Sequence, residues 1–87
     1  MVLIYLRGRE LKVGFSVSAK VGNSVTRNRV RRRMREDFRM LRPDLVPGKY
    51  IFVARTGAAD APYPAMAGEM RSLLRRAKLF RSEGGDS

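Results

Sequence analysis

The chain begins with two short stretches whose hydrophobic pattern is typical of β-strands. Residues 1–7 are rich in β-branched and aromatic side chains. In residues 11–18 every second position is apolar: Leu11, Val13, Phe15 and Val17. This alternation places the four apolar side chains on the core face of a strand. Only Gly8, Arg9 and Glu10 separate the two stretches, so we expect a hairpin that pairs them antiparallel.

A helix is predicted from residue 24 to about residue 41. Asn23 or Ser24 can cap its N-terminus by accepting hydrogen bonds from free backbone N–H groups, and Pro43 ends it because the residue before a proline avoids the helical region. At about 100° per residue, four apolar side chains fall on one side and should face the core. These are Val30, Met34, Phe38 and Leu41.

The second half of the chain predicts one more strand and one more helix. Residues 49–55 are almost continuously apolar, which favours an interior position in the sheet. A loop follows over residues 56–61, and Pro62 and Pro64 suit the first turn of a helix. Its apolar stripe should lie on the sheet: Met66, Met70, Leu73, Leu74 and Ala77. We expect one domain over residues 1–80 and a disordered polar tail over residues 81–87.

Composition narrows the possible functions. The 87 residues carry a net charge of +11, which attracts polyanions, and their 44% apolar content is ordinary for a folded domain. Without Cys or His the chain lacks the usual thiolate nucleophile, acid/base and metal ligands, so catalysis by the protein alone is not expected. No apolar run approaches the roughly 20 residues of a membrane span, and no signal peptide is evident. We expect a cytoplasmic protein.

The helix of residues 24–41 carries a ridge of cations beside its apolar side. Six residues, hereafter the arginine ridge, fall in a sector about 100° wide: Asn28, Arg31, Arg32, Arg35, Arg39 and Arg42. Arginines four residues apart repel each other in an isolated helix. Runs of charged residues are usually solvated surface. Here, however, acids are excluded from the sector of the arginine ridge, whereas Glu36 and Asp37 lie on the far flank of the helix. We therefore favour RNA or DNA as the ligand.

Two further features are weaker signals. Gly22 and Asn23 are explained by a tight turn and a helix cap, although they also place free N–H groups beside the arginine ridge, where a phosphate could bind. Among the aromatic residues, Phe15 and Phe52 are expected in the core. Tyr5 and Tyr50 are retained as weak candidates for stacking on unpaired bases.

Residues 20–39, with the sequence KVGNSVTRNRVRRRMREDFR, closely resemble the signature of the bacterial ribonuclease P protein family. In that family a K-V-G-N loop leads into a helix that bears R-N-R and further basic residues. The resemblance implies an α+β fold, a small two-layer α/β sandwich with a mixed sheet. It also implies that the Arg-rich helix belongs to a left-handed βαβ crossover, against the usual right-handed preference.

The resemblance also implies a function. Proteins of this family are the non-catalytic subunit of an RNA-based endoribonuclease, which removes the 5′ leader of precursor tRNA. They contact the catalytic RNA and bind the leader in a cleft between the Arg-rich helix and the sheet. The RNA-binding residues implied here are Lys20, Asn23, Arg27, Asn28, Arg29, Arg31, Arg32, Arg35 and Arg39. The helical wheel places Arg27 on the apolar side, so that it reaches solvent only from the first turn.

The family further implies which groups the protein itself lacks. We expect no cofactor bound by the protein alone, and Mg²⁺ at the RNA active centre of the holoenzyme. The expected partners are the catalytic RNA and the precursor tRNA leader, with no membrane and no protein partner. Family members normally begin with a basic segment and a helix, whereas this chain starts at their first strand, so we expect the N-terminal helix to be absent.

Two other functions stay open from the residues alone. A structural RNA-binding protein, such as a ribosomal protein, would carry the same cationic helix. Sequence-specific DNA binding is the weaker alternative, because no turn and first helix precede the basic helix as a helix-turn-helix motif requires.

Overall fold

The computed structural model describes residues 1–55 and 63–81. Its strands and helices, numbered in chain order, are β1 (Val2–Leu6), β2 (Leu11–Val17), α1 (Ser24–Leu41), β3 (Gly48–Ala54) and α2 (Tyr63–Arg76). Short 3₁₀ turns span Ala19–Val21 and Arg42–Asp44. The predicted loop over 56–61, Pro62 and residues 82–87 of the predicted tail lie outside the described residues.

The three strands form a mixed sheet in the order β1-β3-β2. β3 pairs antiparallel with β1 and parallel with β2, so its predicted interior position is confirmed. The predicted hairpin between β1 and β2 is wrong, because β3 lies between them. In this order β3, the most apolar strand, is paired on both edges. The segment from Gly8 to Glu10 crosses the N-terminal end of β3. There the N–H of Gly48 donates to the backbone carbonyl of Glu10 at 3.1 Å.

The connection from β2 through α1 to β3 is a βαβ unit, since β2 and β3 are parallel. The predicted α+β class and mixed sheet are therefore confirmed, while the left hand of the crossover stays a prediction. α1 begins as expected: Asn23 is the cap, and its Oδ1 accepts from the N–H of Thr26 at 2.9 Å. Pro43 lies in the 3₁₀ turn that follows Leu41.

A single hydrophobic core joins the helices to one face of the sheet. The predicted core face of α1 is confirmed, because its buried residues are Val30, Met34, Phe38 and Leu41. They meet Tyr50 and Phe52 of β3, both with 0% exposure. α2 buries Met66, Met70 and Leu74 and contacts α1 as well as β1. Ala77 follows the end of α2 and is exposed, so the predicted stripe ends at Leu74.

Tyr5 lies across the start of β3 and accounts for one glycine. Gly48 has a φ of 143°, and a Cβ added there would lie 2.5 Å from the Tyr5 ring. The Tyr5 hydroxyl donates to the backbone carbonyl of Pro47 at 2.6 Å. Gly48 is therefore required both by its backbone conformation and by the close approach of the ring.

In the described ranges, neither helix has the combination of length and apolar composition that crossing a membrane requires.

Candidate nucleic-acid interface

The arginine ridge forms a continuous surface along α1. Asn28, Arg32, Arg35 and Arg39 are exposed on α1, and Arg42 is exposed where the helix ends; Arg31 is half-buried. The Arg31 guanidinium donates through Nη1 to Oδ1 of Asn28 at 3.0 Å. A shallow depression between Asn28, Arg31, Arg32 and Arg35 follows this contact. The ridge therefore presents several guanidinium groups in one line, as the sequence predicted.

A groove of about 170 Å³ lies between α1 and the sheet, next to the arginine ridge. Its floor is apolar and consists of Val13, Phe15 and Phe38. Its charged wall is formed by the three ridge residues nearest the C-terminus of α1: Arg35, Arg39 and Arg42. Because β2 is an outer strand of the sheet, the ring of Phe15 is only partly covered.

The aromatic floor is held in place by ring packing. The rings of Phe15 and Phe38 meet edge to face, with centroids 6.0 Å apart. Phe15 also stacks on Phe52, with centroids 6.1 Å apart and planes inclined by 16°. Phe52 is the register partner of Phe15 on the neighbouring strand and is fully buried, so a close-packed core supports Phe15 from the side.

A cationic wall above an aromatic floor suits an unpaired nucleic-acid strand. Bases that are not paired can stack on the face of an aromatic ring, and a guanidinium can hold a phosphate through two hydrogen bonds. In a duplex the bases are already stacked on one another and are not available to such a floor. The geometry therefore favours single-stranded RNA or DNA in the groove.

The loop before α1 adds polar groups at the other end of the ridge. Lys20 lies exposed in the 3₁₀ turn, where its backbone N–H donates to Oγ of Ser18 at 3.2 Å. Asn23 is also exposed, although its side-chain oxygen already accepts from Thr26. Both residues flank the N-terminus of α1, whose free N–H groups favour anions.

The comparison with known families identifies the family of this chain. The family model for ribonuclease P matches residues 1–78. The chain belongs to the ribonuclease P protein family.

Curated ribonuclease P protein components resemble this chain over most of its length. The component from Symbiobacterium thermophilum is 42% identical over 84 residues, which cover 95% of this chain and 73% of the relative. The component from an Exiguobacterium species is 38% identical over 73 residues, which cover 84% of this chain and 64% of the relative. The chain thus spans about two thirds of the length of these ribonuclease P proteins.

Solved structures of the Staphylococcus aureus ribonuclease P protein share the fold. One, at 2.0 Å, superposes with a TM-score of 0.73 and 32% identity over 82% of this chain and 65% of that chain. A mutant of the same protein gives a TM-score of 0.81 and 28% identity over 90% of this chain and 69% of that chain. The two-layer arrangement described above is therefore the ribonuclease P protein fold.

Two arginines of the ribonuclease P motif, Arg27 and Arg29, belong neither to the groove nor to the arginine ridge. Arg29 is exposed, but its helical position places it on the side of Glu36. Arg27 is half-buried, and its Nε is buried without a hydrogen-bond partner among the described residues. This position agrees with the apolar side on which the helical wheel places Arg27. RNA contact by both residues stays a prediction.

The acidic residues of α1 lie on the flank that faces away from the groove. Asp37 is half-buried there, and desolvation raises the pKa of its carboxyl, while the charge of Arg33 lowers it and that of Glu36 raises it. None of the residues that line the groove is acidic. A bound phosphate would therefore meet no carboxylate at the groove itself.

The predicted aromatic contacts are partly wrong. Tyr50 is not a stacking platform: it is fully buried, and its hydroxyl donates to the backbone carbonyl of Val46 at 2.6 Å. Burial raises the pKa of Tyr50 to about 12, with a smaller contribution from Tyr5. Tyr5 is half-buried with its ring 5.0 Å from that of Tyr50. The residues that were missed are Val13 and Phe15, since alternation places them on the core face without showing that β2 lies at an edge.

Proposed function

We propose that this chain acts as the protein subunit of ribonuclease P, which assists a catalytic RNA in removing the 5′ leader of precursor tRNA. The observation that carries the proposal is the groove between α1 and β2, found in a chain of this family. In the proposal the leader lies in the groove as a single strand, and the remainder of the arginine ridge faces the catalytic RNA.

The apolar floor and the charged wall of the groove have separate roles in holding the leader. A leader base packs against the partly exposed ring of Phe15, which Phe38 supports edge to face, and this stacking does not select the identity of the base. The adjacent phosphates bind Arg35 and Arg39 through charge-assisted hydrogen bonds. Because leaders differ in sequence from one precursor to another, a contact that depends on stacking and charge suits this substrate.

The chemical step belongs to the RNA in this proposal. Phosphodiester hydrolysis of this kind uses metal ions near the scissile phosphate, and we assign the Mg²⁺ ions to the catalytic RNA. These 87 residues contain no His or Cys and have a net charge of +11. The protein therefore contributes affinity, position and neutralisation of the repulsion between two polyanions. We place this activity in the cytoplasm.

Reconstitution with the cognate catalytic RNA tests the proposal. The protein should lower the Mg²⁺ concentration needed to cleave precursor tRNA, and the effect should be larger for a precursor with a long leader than for one with a single-nucleotide leader. Arg35→Ala/Arg39→Ala should remove most of that difference. Arg71→Ala/Arg76→Ala, which removes two exposed cations of α2, is the matched control.

Three results would contradict the proposal. Cleavage by the protein without RNA would contradict the division of labour. Co-purification with ribosomes and without the catalytic RNA would favour a structural RNA-binding protein. If the groove variant and the α2 control lose the effect on the Mg²⁺ requirement equally, net charge alone would explain the effect of the protein.

A further inference from the structure

A pair of lysines lies on the sheet face opposite the helices. Lys12 of β2 and Lys49 of β3 are direct register partners, so their Cα atoms lie on neighbouring strands about 4.8 Å apart. Both are exposed, whereas the next residues, Val13 and Tyr50, point to the core side. Alternation along both strands therefore directs the two ammonium groups, hereafter the lysine pair, to the outer face.

The lysine pair borders a depression at the end of the sheet. The depression has a volume of about 360 Å³ and is lined by Gly8, Arg9, Glu10, Lys12 and Lys49. Within residues 1–55 and 63–81 no ion pair involves either lysine. Among the described residues of the lining, Glu10 is the only acid and is set against three cations, and a further cation, Arg7, directly precedes Gly8 in the chain. The local charge is therefore positive.

The position of Lys49 requires an explanation beyond solubility. Lysines often protect outer strands from pairing with other chains, which accounts for Lys12 on β2. β3 is the central strand and is already paired on both sides. Like charges on directly neighbouring positions of a sheet destabilise it. An anion bound between the two lysines would reverse the sign of that interaction.

The depression and the groove lie back to back on one strand. Lys12 lines the depression and Val13 lines the groove, so a single residue step along β2 separates the two surfaces. β2 is an outermost strand among the described residues, so the two surfaces are on opposite sides of a strand with an unpaired edge. An RNA strand that leaves the groove near Arg42 can pass around this edge to the outer face.

We propose that the lysine pair, with Arg9, is a second phosphodiester-binding surface for the same RNA strand that occupies the groove. The ligand class is single-stranded RNA, bound through its phosphates. The exposed aliphatic neighbours on this face, Ile4 and Leu6, offer no ring on which bases could stack. The surface therefore adds affinity without sequence preference. This inference rests on the function proposed above.

The length dependence of RNA binding tests it in the full chain. The probes are fluorescent oligouridylates of about four and about twelve nucleotides. The variant Lys12→Gln/Lys49→Gln should bind the longer probe about tenfold more weakly and should bind the shorter probe as the wild type does. For the longer probe, the slope of log affinity against log salt concentration should become shallower by about 1.4, at about 0.7 for each lost contact. Lys12→Arg/Lys49→Arg should restore binding of the longer probe. The control Arg71→Gln/Arg76→Gln removes the same charge elsewhere.

The outcomes separate the two proposals. If Arg35→Gln/Arg39→Gln weakens both probes and the lysine variant weakens neither, the groove stands and the second surface is overturned. If the groove variant weakens neither probe, the proposed function itself fails. Equal weakening of the longer probe by the lysine variant and the α2 control overturns the second surface, because net charge then explains the loss. Binding to phosphatidylglycerol vesicles that is lost in the lysine variant, with RNA binding unchanged, overturns it in favour of a lipid surface.

Discussion

Phe15 and Phe38 meet edge to face, their planes inclined by 74°, and this contact joins β2 to α1 at the floor of the groove. Replacing Phe15 with Leu removes the ring but keeps an apolar side chain. We expect RNA binding to weaken by about 1–3 kcal/mol, the usual contribution of one stacked base. The measurement is fluorescence anisotropy with a single-stranded probe.

Phe52→Leu is the control for that change. Phe52 stacks on Phe15 from the neighbouring strand but is fully buried and cannot touch RNA. Its replacement should lower the free energy of unfolding and leave the affinity of the folded protein close to that of the wild type. A larger loss of RNA affinity in Phe52→Leu than in Phe15→Leu would rule out direct stacking.

Substitutions on the two faces of α1 should have different effects, one on RNA binding and the other on stability. Arg32→Ala and Arg35→Ala should weaken RNA binding, while the free energy of unfolding changes by less than about 0.5 kcal/mol. Phe38→Ala leaves a cavity in the core and should lower stability by about 3–5 kcal/mol. Urea denaturation of the three variants measures the difference. Equal destabilisation in all three would contradict the assignment of the faces.

Salt should weaken RNA binding steeply. If six phosphates of a single strand contact the arginine ridge and its loop, affinity falls by about four decades for each tenfold rise in salt, at roughly 0.7 per contact. Titrations between low and physiological salt give this slope directly. A slope near zero would exclude the ridge from RNA binding.

Two substitutions at Asn23 distinguish its role as a helix cap from a contact with phosphate. Asn23→Ala removes the acceptor for the N–H of Thr26 and should cost about 1 kcal/mol of stability. Asn23→Asp keeps the acceptor and places a negative charge favourably at a helix N-terminus. In thermal unfolding, the melting temperature of Asn23→Asp should therefore be near that of the wild type, and that of Asn23→Ala should be lower. If the loop binds phosphate, Asn23→Asp should nevertheless weaken RNA binding.

Tyr50 should make stability depend on alkaline pH. Its pKa of about 12 in the folded protein exceeds the value of 10.0 for an unperturbed tyrosine. The unfolded chain therefore loses the proton first, so this contribution is complete below pH 10 and is lost as the pH rises towards 12. Tyr50→Phe removes the hydroxyl, which donates to Val46, and should lower stability by about 1 kcal/mol at neutral pH.

The matched comparison is the slope of stability against pH. Between pH 10 and 12 the wild type should lose more stability than Tyr50→Phe, because only the wild type has this phenol. Denaturant unfolding at several alkaline pH values measures both proteins under the same titration of lysines. Parallel curves would show that the Tyr50 hydroxyl does not titrate with a raised pKa.

Local signals allowed α1 to be predicted almost completely. The cap at Asn23, the stop before Pro43 and the buried positions from Val30 to Leu41 depend on contacts within a few residues, and the structure confirms them. The arginine ridge followed from the same periodicity. The interior position of β3 was also predicted, because its nearly continuous apolar sequence requires cover on both sides.

The pairing of the strands could not be predicted in the same way. A short link such as Gly8 to Glu10 permits a hairpin, but whether β3 enters between its strands depends on residues far along the chain. The groove depends on that outcome. Alternation predicted the face of Phe15 correctly, and only the strand order shows that this face borders a groove at the edge of the sheet.

The strand order also has a consequence for synthesis. β1 and β2 both bond to β3, which emerges from the ribosome after them, so neither has a sheet partner while α1 is being made. Sheets built from such distant segments form late, since a long loop must close first. A nascent chain that ends before Gly48 therefore already carries its arginines but has no floor on which a base could rest. In the proposed function, a base can therefore stack in the groove only after β3 has been synthesised and has paired with β2.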